Sequence, residues 1–209
     1  RTAAQGATKD APARKPRIAF LSPLPPERTG IADYAVRVLP TLLPHFEVEL
    51  IVQQAEVALP PELAHLPQHP PAWLDQHPGR YDHIVYQFGN SPYHSHMMPL
   101  LQRHPGVVVL HDFYLSSMIS YEQITGAMPG AWTRSLLHSH GYAAVQASVA
   151  PDGLEQAKHD WPSNLEILQD ASHVIVHSEY ARRLARDWYG PQAGADWSPA
   201  QLPRAAPLE

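Results

Sequence analysis

The 209-residue sequence predicts an α/β fold, a Rossmann-like sandwich with a mostly parallel sheet flanked by helices. Three observations carry that expectation. Short aliphatic runs recur along the chain. Two of them, Val107-Val108-Val109-Leu110 and Val174-Ile175-Val176, do not alternate with polar residues, which is the pattern of strands covered on both faces. Segments of helical periodicity lie between the runs, so successive strands pair in parallel through crossovers.

In chain order, residues 1–15 are small and polar and read as a flexible leader or linker. The domain itself spans 16–190. Arg17–Ser22 is its first strand and a proline-rich loop follows. Gly30 then opens a segment in which Ile31, Tyr34, Ala35, Val38, Leu39, Leu42 and Leu43 make one apolar stripe. Pro40 falls inside it and predicts a kink, or an early end with one further turn. Glu47–Gln53, His83–Phe88, Gly106–His111 and His173–His177 are the other strands. Helix candidates are Met98–His104, Tyr114–Tyr121, Ala131–Ser148 and Asn164–Asp170. Ser178 is placed to cap a last helix over 179–190, with Tyr180, Leu184 and Trp188 facing inward. Residues 191–209 return to Gly, Pro and Ala, a tail or interdomain linker. The opening Arg and the closing Ala-Ala-Pro-Leu-Glu read as those of an excised fragment.

Composition narrows the chemistry. There is no cysteine, which excludes a disulfide framework and a thiolate metal site. No apolar stretch approaches the roughly 20 residues that cross a bilayer, and no signal-like apolar core opens the chain. The simplest location is therefore cytoplasmic. A net charge of -5 argues against a nucleic-acid groove. The expected partners are small molecules, or a lipid-linked substrate met at the inner membrane surface.

Candidate chemistry sits where strands end. The turn into Gly30 is the carboxyl end of a strand in an open parallel sheet, where ligands bind. The first helical amides, of Gly30, Ile31 and Ala32, lack intrahelical partners and suit an anion such as a diphosphate. A dinucleotide fingerprint is not met: one glycine stands where three are needed, and Val52-Gln53-Gln54 offers no acid for a ribose. In Tyr86-Gln87-Phe88-Gly89-Asn90-Ser91-Pro92-Tyr93-His94, the turn leaves Asn90 and His94 at the strand mouth. Asn90 offers a donor and an acceptor to a carbohydrate, or bonds its own turn. After Val107–Leu110 come His111, which can meet a sugar hydroxyl or phosphate and, if protonated, counter a leaving diphosphate, and Asp112, which orients His111 or caps the next helix. His94-Ser95-His96 and His138-Ser139-His140 lack a nearby carboxylate to complete a metal shell and read as surface imidazoles.

Taken together, the blocks Pro25–Tyr34, Tyr86–His94, Val107–Asp112 and Val174–Arg183 resemble, in order, the N-terminal half of family 4 glycosyltransferases. These are retaining, nucleotide-sugar-dependent enzymes of the two-Rossmann GT-B fold that serve polysaccharide biosynthesis. The resemblance implies that Gly30 and Thr29 meet the donor diphosphate, that His111 and Asp112 are catalytic, and that Asn90 and His94 line the acceptor side. It gives His177, Ser178 and Glu179 a mainly structural part. It implies no cofactor and no metal. The implied partners are a nucleotide-sugar, a glycan or lipid-linked acceptor at a peripheral membrane contact, and a C-terminal donor-binding domain. That domain, with its Arg/Lys pair and Glu-x7-Glu block, is absent from this sequence, so the fragment alone is expected to be inactive. Two other classes stand beside this one: a non-catalytic binding or scaffolding module of the same fold, and a nucleotide-dependent oxidoreductase or epimerase.

Overall fold

The five aliphatic runs all become strands, and the structure, a computed structural model, describes residues 14–201. In order the elements are β1 (Arg17–Leu21), α1 (Gly30–Leu42), β2 (Glu47–Ile51), β3 (Gln68–His69), α2 (Ala72–Gln76) and β4 (His83–Phe88). A single 3-10 turn, Pro92–His94, leads to α3 (Met97–Arg103), β5 (Val107–Leu110), α4 (Ser116–Ile124), α5 (Ala131–His140) and α6 (Tyr142–Val149). Then come α7 (Gly153–Asp160), α8 (Leu165–Asp170), β6 (His173–Val176), α9 (Glu179–Tyr189) and β7 (Ser198–Pro199). Among the described residues these strands form one sheet of order β3-β2-β1-β4-β5-β6-β7, parallel at every pairing.

The order has one consequence for function. From β1 the chain steps outward to β2 and β3, then returns to β4 on the other side and continues to β7. The β1–β4 boundary is the point where the winding reverses, and there the loops leaving the two strands diverge and open a crevice.

Both faces of the sheet are covered, which explains the missing alternation. Along β1, Ala19 and Leu21 pack with Tyr86, Phe88, Met97, Leu101, Met118 and Trp132 on one side. Ile18 and Phe20 pack with Ala35, Leu39, Val48 and Leu50 on the other.

Several local expectations are corrected. The helix does not end at Pro40 but runs on to Leu42, where Leu43 N–H still bonds the Leu39 carbonyl, so the proline forfeits only the one bond its own N–H would make. Ala131–Ser148 is two helices, because Gly141 takes φ 77° and breaks the run. Ser178 sits at the start of α9 without a side-chain capping bond. Tyr180 is exposed, under the Arg183 guanidinium 5.1 Å from its ring, while Ala185 supplies the buried contact. Residues 191–200, read as tail or linker, pack on the sheet: β7 pairs with β6, and Arg182 bonds the carbonyls of Gly194 and Ala195. Most of the 1–15 leader and residues 202–209 lie outside the described residues. Among the described residues no helix is long and apolar enough to cross a membrane.

One buried carboxylate anchors the β2 side. Glu49 on β2 receives Arg80 through two bonds, of 3.0 and 2.6 Å, and the Tyr81 hydroxyl at 2.7 Å. Burial pushes its pKa up, but the bonds from Arg80 and Tyr81 outweigh it and hold the group below its ordinary 4.5. Glu49→Gln is expected to cost about 2 kcal/mol in urea unfolding at neutral pH, the scale of lost bonds to a charged group. The folded pKa is depressed, so this contribution is present above pH 4.5 and is lost as pH falls through the folded value. The gap between variant and parent should therefore close in acid.

Candidate functional site

At the reversal point lies a hollow of about 310 Å³, lined from three sides. Thr29, Gly30 and Ile31 enter it from the start of α1, Asn90, Ser91 and His94 from the loop after β4, and His111 and Asp112 from the end of β5. The six residues singled out in the sequence thus meet in one place.

Each is held by a specific contact. Thr29 has extended backbone, and its Oγ1 accepts from Ala32 N at 2.9 Å. Ala32 is therefore already satisfied, which removes it from the expected anion-binding set and leaves the Gly30 and Ile31 amides. A Cβ at Gly30 would meet nothing within 4 Å, so the glycine answers no packing need of the protein. It leaves the approach to those amides open.

Gly89 is the opposite case. A Cβ there would overlap Ile31 Cδ1 and stand 3.0 Å from His94 Nε2 and 3.3 Å from Asp112 Oδ2. The end of β4 is a glycine because the β1, β4 and β5 loops close around it.

Asp112 neither orients His111 nor caps α4, which begins only at Ser116. Its Oδ2 accepts from Asn90 N at 2.9 Å. Asn90 in turn does not bond its own turn: its Oδ1 accepts from Met118 N at 3.0 Å, capping the first turn of α4 from a distant loop. The β5 loop, the β4 loop and α4 are joined through these two bonds, and the Asn90 amide nitrogen stays available to a ligand.

The two imidazoles share one anchor, Gln87, a residue of β4 only 1% exposed. His94 Nδ1 donates to the Gln87 carbonyl at 2.7 Å, so the lone pair of its buried, unpartnered Nε2 is the free acceptor. His111 Nε2 donates to Gln87 Oε1 at 2.8 Å. Its ring also meets the edge of Tyr34 and the ring of His177, each with centroids 4.7 Å away.

These surroundings set the charge. Burial pushes the His94 pKa down to about 4. Burial, helped by the neighbouring His177 and His94, pushes His111 down to about 3. The expected protonated counter-charge at His111 is thus absent at neutral pH before a ligand arrives. The hollow presents two amides, a neutral ring and one carboxylate, the unpartnered His94 Nε2 lies buried behind it, and no Lys or Arg lines it. Such a set suits a hydroxylated ligand carrying an anionic group at the amide end.

The reading of the histidine pairs as surface imidazoles fails for His94, fully buried, and His96, whose Nε2 is buried. They line different hollows. The second pair diverges along α5: His138 bonds Gln169 at 2.8 Å, while His140 accepts from Ser163 N at 3.1 Å. Among the described residues no three His, Asp or Glu side chains converge as a metal site. Sequence reasoning passed over Gln87, whose one signal was an amide inside an apolar strand, and gave His177 a mainly structural part, with no signal of its contact with His111. No protein-family model matches this chain, and no curated protein matches it either.

Two outcomes follow from this geometry. Gly89→Ala should lower the thermal midpoint by several degrees, whereas Gly30→Ala should leave it unchanged or raise it, as expected of an unstrained first-turn position. Between pH 6.5 and about 4 the folded protein binds fewer protons at His94 and His111 than the unfolded chain does. Stability should therefore fall as pH drops through that window, and His111→Gln should flatten the slope in a pH series of thermal melts.

Proposed function

We propose that this hollow is one wall of a cleft in which a sugar passes from a nucleotide diphosphate to a hydroxyl of a glycan or lipid-linked acceptor, with retention at the anomeric carbon. The observation that supports it is the convergence of Thr29, Gly30, Asn90, His94, His111 and Asp112 on the β1–β4 reversal point. The resemblance to family 4 glycosyltransferases is carried by the same loops.

On this reading the Gly30 and Ile31 amides take a diphosphate oxygen, aided by the positive end of α1. A diphosphate brought close to His111 raises its pKa, so the ring gains a proton as the donor binds and stabilises the leaving group. His94, buried against the Gln87 carbonyl, shapes the acceptor side and takes no proton. Asp112, the one carboxylate here, is tied to Asn90 and holds rather than attacks. The acceptor's proton then goes to the departing phosphate oxygen on the same face, as the new glycosidic bond forms and the old one breaks. No cationic side chain lines this wall, so the rest of the diphosphate charge is met from an opposing domain, and localisation at the inner membrane face suits a lipid-linked acceptor.

The lack of a cation is also the one observation that favours a binding module without catalysis. A screen of nucleotide-sugar donors against the full-length gene product separates the two. Transfer is expected with at least one donor, and His111→Ala should cut kcat/KM by about a hundredfold, the scale of one lost electrostatic stabiliser. Near-normal turnover in that variant would remove His111 from the reaction, and no transfer from any donor would leave the binding module.

A further inference from the structure

Beside the first hollow is a second, of about 210 Å³, at the carboxyl ends of β1 and β2. The two share a partition. Within one short segment Ser91 and His94 face the first, while Pro92, Tyr93 and His96 line the second. The opposite side is preformed. Gln54 accepts from Leu24 N at 2.9 Å and donates to the carbonyls of Leu24 and Glu56 at 2.7 and 2.8 Å, pinning the proline loop.

Two features define what fits. His96 Nε2 is buried and has no partner. Burial, with His94 nearby, pushes the His96 pKa down to about 4, so the ring is neutral. An unpaired nitrogen of a neutral imidazole gives or takes one hydrogen bond according to its tautomer, and a hydroxyl serves either. The other feature is charge. The carboxylate of Glu27 faces Tyr93 and raises its phenol above the ordinary 10. No Lys or Arg lines the hollow, so an anion finds a like charge and no counter-charge there. Tyr93, 45% exposed, adds an aromatic surface, and Gln53 an exposed amide at the mouth.

We propose that this second hollow binds a neutral, hydroxyl-rich ring through His96, Tyr93, Glu27 and Gln53, adjoining the ring held in the first hollow. The identity of that ring as the next unit of an acceptor glycan rests on the sugar-transfer reading; the site itself does not. A molecule of two or more linked rings crosses the partition and engages both hollows at once, so disaccharides and longer saccharides bind better than single rings.

The test is saturation-transfer NMR of neutral mono-, di- and trisaccharides, and of inorganic phosphate, on the full-length protein and its Tyr93→Ala, Glu27→Gln and His96→Gln variants. Tyr93 and Glu27 stand at the surface side of the hollow, so their variants report binding even if His96→Gln fails to fold. The expected result is binding of at least one di- or trisaccharide, weakened about tenfold in Tyr93→Ala and Glu27→Gln. In a transfer assay the same variants should raise the acceptor KM about tenfold with kcat unchanged. Equal affinity in parent and variants, no saccharide bound by the parent, or phosphate bound in competition at Tyr93 would each overturn the proposal. Saccharide binding lost in the variants of a protein that transfers nothing would sink the sugar-transfer reading and leave this site standing. Transfer that the variants do not alter would do the reverse.

Discussion

Gln87 is a primary amide inside a strand whose end is closed off from water, and the hollow is arranged around satisfying it. A buried amide left unpaired costs more than most packing contacts return. Its side chain takes the His111 proton and its carbonyl takes the His94 proton. Each bond fixes a tautomer as well as a position, so both rings present a defined lone pair rather than a choice. Two residues on, a Cβ at Gly89 would press on Ile31 Cδ1 and stand 3.0 Å from His94 Nε2. Amide, rings and glycine form one constraint, reached from three separated parts of the chain.

That constraint trades stability for readiness. Holding His94 and His111 neutral costs the folded state protons that the unfolded chain would bind in mild acid. Leaving His94 Nε2 unpaired adds a further cost. A core selected for packing alone would replace both with leucine. Stability is thus surrendered at one spot in an otherwise well-filled sheet.

Much of this was legible in the residues. The central strands announced themselves because Val107–Leu110 and Val174–Val176 are apolar on both faces, and the sheet is covered on both faces. The meeting of Gly30, Asn90, His94 and His111 followed from one rule, that loops at the carboxyl ends of parallel strands share a rim. What escaped was pairwise and long-range. Asp112 has every local mark of a helix cap, yet bonds Asn90 because α4 starts later than its sequence suggests. Nothing near Asn90 tells that it will cap a helix 28 positions on. The short edge strands β3 and β7, of two residues each, carry too few side chains to make a pattern. Tyr180 fits the inward stripe of α9 by spacing, and its exposure is decided by where Ala185 seats the helix on the sheet.

The β7 edge of the sheet lies close to the rim of the hollow. Ala200 N–H donates to the Val176 carbonyl, the Ala200 carbonyl accepts from His177 Nδ1, and the His177 ring rests against His111. The sheet edge and the imidazole in the hollow are thus joined through one side chain, His177.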